Sequence, residues 1–151
     1  MIKILLFVLL MSSLLISQEI KIEFETGDSD INQHLQDINN YAINNMDFFK
    51  RDLSMKFGIS TKDADQYLRK DKVRPGDLYY ACTIASVTNQ DVKNVVKSYK
   101  VNKAWGKVTK EYGIEPGSND FQRLKGKTLT GIGKVRTKHV ENGKDNTKSK
   151  K

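Results

Sequence analysis

Apolar side chains at Ile31, Leu35, Ile38, Ala42, Met46, Phe49, Leu53 and Phe57 recur every three or four positions. At about 100° per residue they fall on one stripe, which predicts helix facing a core. Gly27-Asp28-Ser29-Asp30 precedes the stripe, a break followed by side chains that accept from first-turn amides. Asn39-Asn40 and Asn44-Asn45 interrupt it. Asn is a poor helix-interior residue and a good cap, so the spacing predicts one interrupted helix or two, the second starting at Asn44 or Asn45. Gly58 supplies a left-handed C-cap.

Further on, Ser60 with Asp63 is a capping-box variant that opens a short helix to about Lys70. Pro75 at a first-turn position opens another, with Leu78, Cys82 and Ala85 on its inner face. Asn89 is read as the cap of a helix carrying Val92, Val95, Val96 and Tyr99. Trp105, Val108 and Tyr112 would lie on the opposite side of that same helix, and one straight helix cannot bury both sets. The chain must therefore turn between Val101 and Trp105, with a new helix running from Trp105 to a stop at Gly113. Pro116-Gly117 is a loop, and Ser118 caps a last helix bearing Phe121 and Leu124. The expected core is anchored by Phe49, Leu53, Phe57, Trp105, Val108, Tyr112, Phe121 and Leu124.

The two ends read differently. Met1-Ile2-Lys3 followed by the mostly apolar Ile4–Ile16 matches an export signal, and is shorter than the roughly 20 residues that span a bilayer. Residues 1–17 are thus expected to be a signal peptide and the mature protein periplasmic or extracellular. In 18–27, Ile20, Ile22 and Phe24 alternate with charged residues, which suggests an extended or strand segment. Residues 126–151 carry four Gly, eight basic and two acidic residues with almost no apolar spacing, and are expected to be a disordered tail. The fold class is all-α: six or seven short helices in hairpins over 28–125.

Three segments share a design. Leu53…Phe57-Gly58-Ile59 and Val108…Tyr112-Gly113-Ile114 place an aliphatic residue four before an aromatic, then a Gly turn and an Ile; Ile84…Asn89 is a looser copy with Asn for Gly. Helical hairpins of this kind bury short amphipathic segments. The first copy has near helix-turn-helix spacing, but Asp63 and Asp65 fall where a recognition helix would approach phosphates.

The stretch from Tyr99 through Trp105-Gly106, Gly113-Ile114, Pro116-Gly117-Ser118 and Phe121 to Leu124-Lys125 resembles a family of small exported helical bacterial proteins of unassigned function. A looser likeness around Asp77-Leu78-Tyr79-Tyr80 extends the resemblance over about 100 residues back toward Gly27-Asp28. The chain departs from it at Gln122, where His is common, and at Thr109, where Ala is usual. The resemblance implies export and an all-helical fold; it brings no activity and no catalytic residues.

Reactive chemistry is sparse. The single Cys82 cannot form an internal disulfide, and a buried inert thiol is expected. His34 and His139 lack a helically spaced His, Cys or paired carboxylate. Gly131-Ile132-Gly133-Lys134 lacks phosphate-loop spacing, with Val135 where Ser or Thr is required. No catalytic residue, metal ligand or cofactor is called for. Charge is the asymmetric feature: of the chain's 151 residues, 18–77 carry 9 basic and 12 acidic side chains, whereas 78–151 carry 16 and 6. Lys93, Lys97, Lys100, Lys103, Lys107 and Lys110 recur every three or four positions, joined by Lys125 and Lys127. Such a half attracts anions at long range. The expected partner is an anionic envelope polymer, a lipid surface or a nucleic acid. Lys outnumbers Arg, though bidentate Arg suits phosphate better, so a plain solvated face stands beside that reading. The function expected is a non-enzymatic exported binding module. A carboxylate-dependent envelope hydrolase is the enzyme alternative, and a structural module pairing with another envelope protein through residues 20–24 is the third class.

Overall fold

The computed structural model describes residues 24–132, and among them the chain is all-helical. The helices are α1 (Ser29–Phe57), α2 (Thr61–Asp65) continuing into a π-turn (Gln66–Lys70), α3 (Pro75–Thr88), α4 (Val92–Asn102), α5 (Trp105–Glu111) and α6 (Asn119–Leu129). The expected signal peptide at 1–17, residues 18–23 of the expected extended segment, and residues 133–151 of the expected tail, His139 among them, lie outside the described residues.

Local chemistry sets most boundaries. The Asp28 carboxylate accepts from the amides of Asp30 and Ile31 to start α1, and Gly58 ends it at φ 71°. Between them Asn45 leaves helical geometry at φ −138°, ψ 35°, so α1 bends where the asparagines predict. The bend has a large effect. A straight helix of 29 residues would run about 43 Å, yet both ends of α1 reach the same short helix. Lys125 of α6 bridges Asp28 and Asp30 at 2.8 and 2.7 Å. At the other end, Lys56 donates to the carbonyls of Lys127 and Gly131 at 3.3 and 3.0 Å.

The core gathers around α3. Every residue from Gly76 to Ala85 is buried, not only the predicted Leu78, Cys82 and Ala85. A helix enclosed on all sides shows no amphipathic period, which is why the sequence revealed only part of it. Of the expected anchors, Phe49, Leu53, Trp105, Val108, Phe121 and Leu124 are buried. Phe57 and Tyr112 only pack against the core from its edge.

Three boundaries differ from expectation. Asn89 does not open α4; it closes α3 in the left-handed conformation at φ 54°, and Asp91 caps α4 through the Lys93 amide. An Asn between two helical runs can serve either end. The last helix does not stop at Gly126 but continues to Leu129, with Thr128 and Ile132 buried, so the segment from 126 begins as part of the fold. Lys56 holds that end by donating to the carbonyls of Lys127 and Gly131, as a cation at a helix C-terminus does. Residues 24–27 form no strand. Phe24 is buried instead, and the carbonyls of Phe24 and Glu25 accept from the first-turn amides of Trp105 and Gly106 at 3.4 and 2.7 Å. Ala104, the residue before α5, has no capping side chain, so this strap replaces it.

Candidate functional site

Two constellations stand out, one inside the molecule and one on its surface. Arg74 and Asp77, spaced i, i+3 around the start of α3, form a two-pronged pair: Nη2 donates to Oδ1 at 3.1 Å, and Nε donates to Oδ2. Asp77 is 2 % exposed and also accepts from the Trp105 indole N–H at 2.8 Å. Tyr99 stacks on Trp105 with centroids 4.1 Å apart and accepts from Arg74 at 3.2 Å. The Arg74 guanidinium lies 4.6 Å over the Phe24 ring. This network joins α3, α4, α5 and the strap. Pairing with Arg74 and the indole N–H is what lets the Asp77 carboxylate stay buried, so the network fastens the start of α3 to its neighbours.

Other titratable groups are similarly engaged. His34 is 2 % exposed and lies edge-on to Tyr79, with ring centroids 6.2 Å apart. Burial pushes the Cys82 thiol up to about 12, so at neutral pH it is not the nucleophilic thiolate. Asp65 turns away from Asp63 to meet Lys50 at 3.2 Å and Arg69 at 2.9 Å. The hydrogen bond from Lys50 leads in holding its carboxyl below the ordinary value. Among the described residues no group of three or more His, Cys, Asp or Glu is placed to hold a metal ion. No described helix is long and apolar enough to cross a membrane.

The surface constellation is built on α4. Val95, Val96 and Ser98 face inward, which directs Lys93, Lys97 and Lys100 along one outer stripe. That stripe is one wall of a groove of about 430 Å³. The opposite wall comes from Asp63 of α2, Gln66 and Tyr67 of the π-turn, and Asp71, which caps that turn. Asp71 and Lys100 form a salt bridge across it. Burial first, and then the carboxylates of Asp91 and Asp63, push the Tyr67 phenol up, so it remains a neutral donor. A second hollow of about 340 Å³ lies between α4 and α5, lined by Asn94, Ser98, Val101, Asn102, Glu111 and Tyr112. Lys97 borders both.

The predicted lysines therefore divide. Lys93, Lys97 and Lys100 converge on the first groove. Lys103 takes the left-handed turn after α4 at φ 59°, and Lys107 and Lys110 project from α5; all three are exposed. Lys125 and Lys127 do not join them, since Lys125 is bound by Asp28 and Asp30 and Lys127 donates to Ser86. The sequence did not reveal Gln66, Tyr67 and Asp71. Their place depends on the π-turn, and a wider turn of that kind leaves no periodic mark in the residues forming it.

The chain matches no family model, and no curated protein or solved structure matches it.

Proposed function

We propose that this protein is an exported, non-enzymatic binding module that engages an anionic envelope component through the outer face of α4 and α5. The observation that carries this reading is the convergence of Lys93 and Lys97 on one groove beside the Asp71-paired Lys100, with Lys103, Lys107 and Lys110 exposed beyond it. Cations close together on one face add their fields and draw anions at distances up to the screening length, about 8 Å at physiological ionic strength. The signal-like residues 1–17 and the resemblance to small exported helical proteins support the compartment. Phe24 is buried and its carbonyl accepts from Trp105, whereas residues 20–23 of the alternative sheet-pairing segment lie outside the described residues.

The test is retention on immobilised polyphosphate and heparin across a salt series. Replacing Lys93 and Lys97 by Gln is expected to weaken retention and to lower the dependence of log affinity on log salt by about two, roughly one per lost contact. Lys125→Gln should leave that slope unchanged, because Lys125 is held internally. Retention that is indifferent to salt, or to the Lys93 and Lys97 substitutions, overturns the proposal. Truncation to probe the basic end belongs after Ile132, since a cut at Gly126 also removes buried Thr128 and Ile132.

A further inference from the structure

The two hollows beside α4 repeat one chemical set. The first offers the Tyr67 ring, the Gln66 amide and the carboxylates of Asp63 and Asp71. The second offers the Tyr112 ring, the amides of Asn94 and Asn102, and the Glu111 carboxylate. Lys97 stands between them and belongs to both. Tyr67 and Tyr112 are each half-buried against the core edge. Volumes of about 430 and 340 Å³ fall within the range of small-ligand sites, about 300–1,000 Å³.

Carboxylates in a cationic groove sort anions by what else those anions carry. An ionised carboxylate only accepts hydrogen bonds. A polyphosphate also presents only acceptors, so Asp63, Asp71 and Glu111 oppose it. A saccharide presents hydroxyl donors that those carboxylates can accept, and an apolar ring face that a tyrosine can cover. We propose that the two hollows are adjacent subsites for successive units of an acidic glycan, with Lys97 between them meeting a uronate carboxylate. Lys93 adds a second cation to the first subsite. Glu111 is already oriented there, accepting from Asn102 at 3.0 Å and from Ser98. Two subsites joined by one chain bind cooperatively through effective concentration, so a polymer is favoured over its single unit. This inference rests on the anion-binding reading above and narrows it to one class of anion.

The test uses the full chain and three probes: a tetramer of galacturonic acid, its fully methyl-esterified neutral form, and polyphosphate. Affinities are measured by calorimetry at low salt. The expected result is binding of the acidic tetramer, with a loss of about tenfold or more on esterification, about 1.4 kcal/mol per tenfold. Asp63→Asn and Glu111→Gln should weaken the tetramer severalfold while strengthening polyphosphate. Tyr67→Leu and Tyr112→Leu should weaken the tetramer alone, and Lys97→Gln should weaken both acidic probes. Asp63 and Glu111 are exposed, so their variants decide the question even if a tyrosine variant unfolds. Binding of polyphosphate without the tetramer, or carboxamide variants that strengthen both, overturns the glycan inference and leaves the anion-binding reading standing. No binding of either acidic probe, with Lys97→Gln silent, overturns both.

Discussion

Asp77 shows how much one side chain can determine. Its carboxylate is 2 % exposed and satisfies Arg74 and the Trp105 indole together. Removing Asp77 leaves the buried Trp105 indole N–H without its acceptor and the one-third exposed Arg74 without its counter-charge, so Asp77→Ala is expected to cost about 2–4 kcal/mol in urea unfolding. Trp105→Phe, which deletes only the indole donor and some packing, should cost less, about 1–3 kcal/mol. An equal or reversed order would mean that ring packing, not the ion pair, governs this junction. No sequence pattern singled out Arg74 with Asp77, because the cover over Asp77 comes from Trp105, whose own burial was expected but whose partner was not. The lysines tell the converse: periodicity placed Lys93, Lys97 and Lys100 on one face, but could not reveal that Lys125 and Lys127 are engaged within the fold.

Among elements, the turn positions of the repeated design were legible, although Asn89, expected to open α4, instead closes α3. Gly58, Asn89 and Gly113 close the three copies of the repeated design, at φ 71°, 54° and 76°. Positive φ is strained for most side chains and easy for Gly and Asn, so the repeat marks its own turns. The turn before Trp105 followed from two apolar faces that one helix could not bury, and Lys103 makes it at φ 59°. Where an element's end depends on a distant segment, the sequence was silent. The first turn of α3 is completed by Asn39 of α1, whose side-chain oxygen accepts from the Gly76 amide at 2.7 Å. A Cβ at Gly76 would come within 2.5 Å of the Leu35 carbonyl, and one at Gly106 within 3.2 Å of the Glu25 carbonyl. Both glycines permit close approach of backbone to backbone. Gly76→Ala is expected to cost about 1–3 kcal/mol or more, as overpacking does, and Gly106→Ala less, since the strap can yield by a few tenths of an ångström. Thermal unfolding of the two variants gives the order.

Across the whole molecule, the bent α1 and the last helix lock together at two places. Burial alone would raise the Asp28 carboxyl, but the hydrogen bond from Lys125 and the amides of Ile31 and Asp30 outweigh it and hold it below the ordinary value. A carboxyl depressed in the folded state contributes stability above its unfolded value, about 3.9, and loses it as pH falls through the folded value. Stability should therefore decline below about pH 4. Lys125→Met should flatten that decline while lowering stability at neutral pH; urea titrations of the two proteins at pH 2, 4 and 7 provide the check. An unchanged acid limb would assign the effect to other carboxylates. The surface site is likewise a property of the assembled chain. Its cationic wall was legible from lysine spacing, while its acidic wall arrives from α2 and the π-turn some thirty residues earlier.

The bend at Asn45 has one more consequence. Each half of α1 has its own fastening to α6, through Asp28 and Asp30 on one side and Lys56 on the other. Asn44 is exposed at the corner. A protease that nicks the peptide there should leave two fragments that elute as one particle and separate only in denaturant, making the corner a natural place to split the protein into complementing halves.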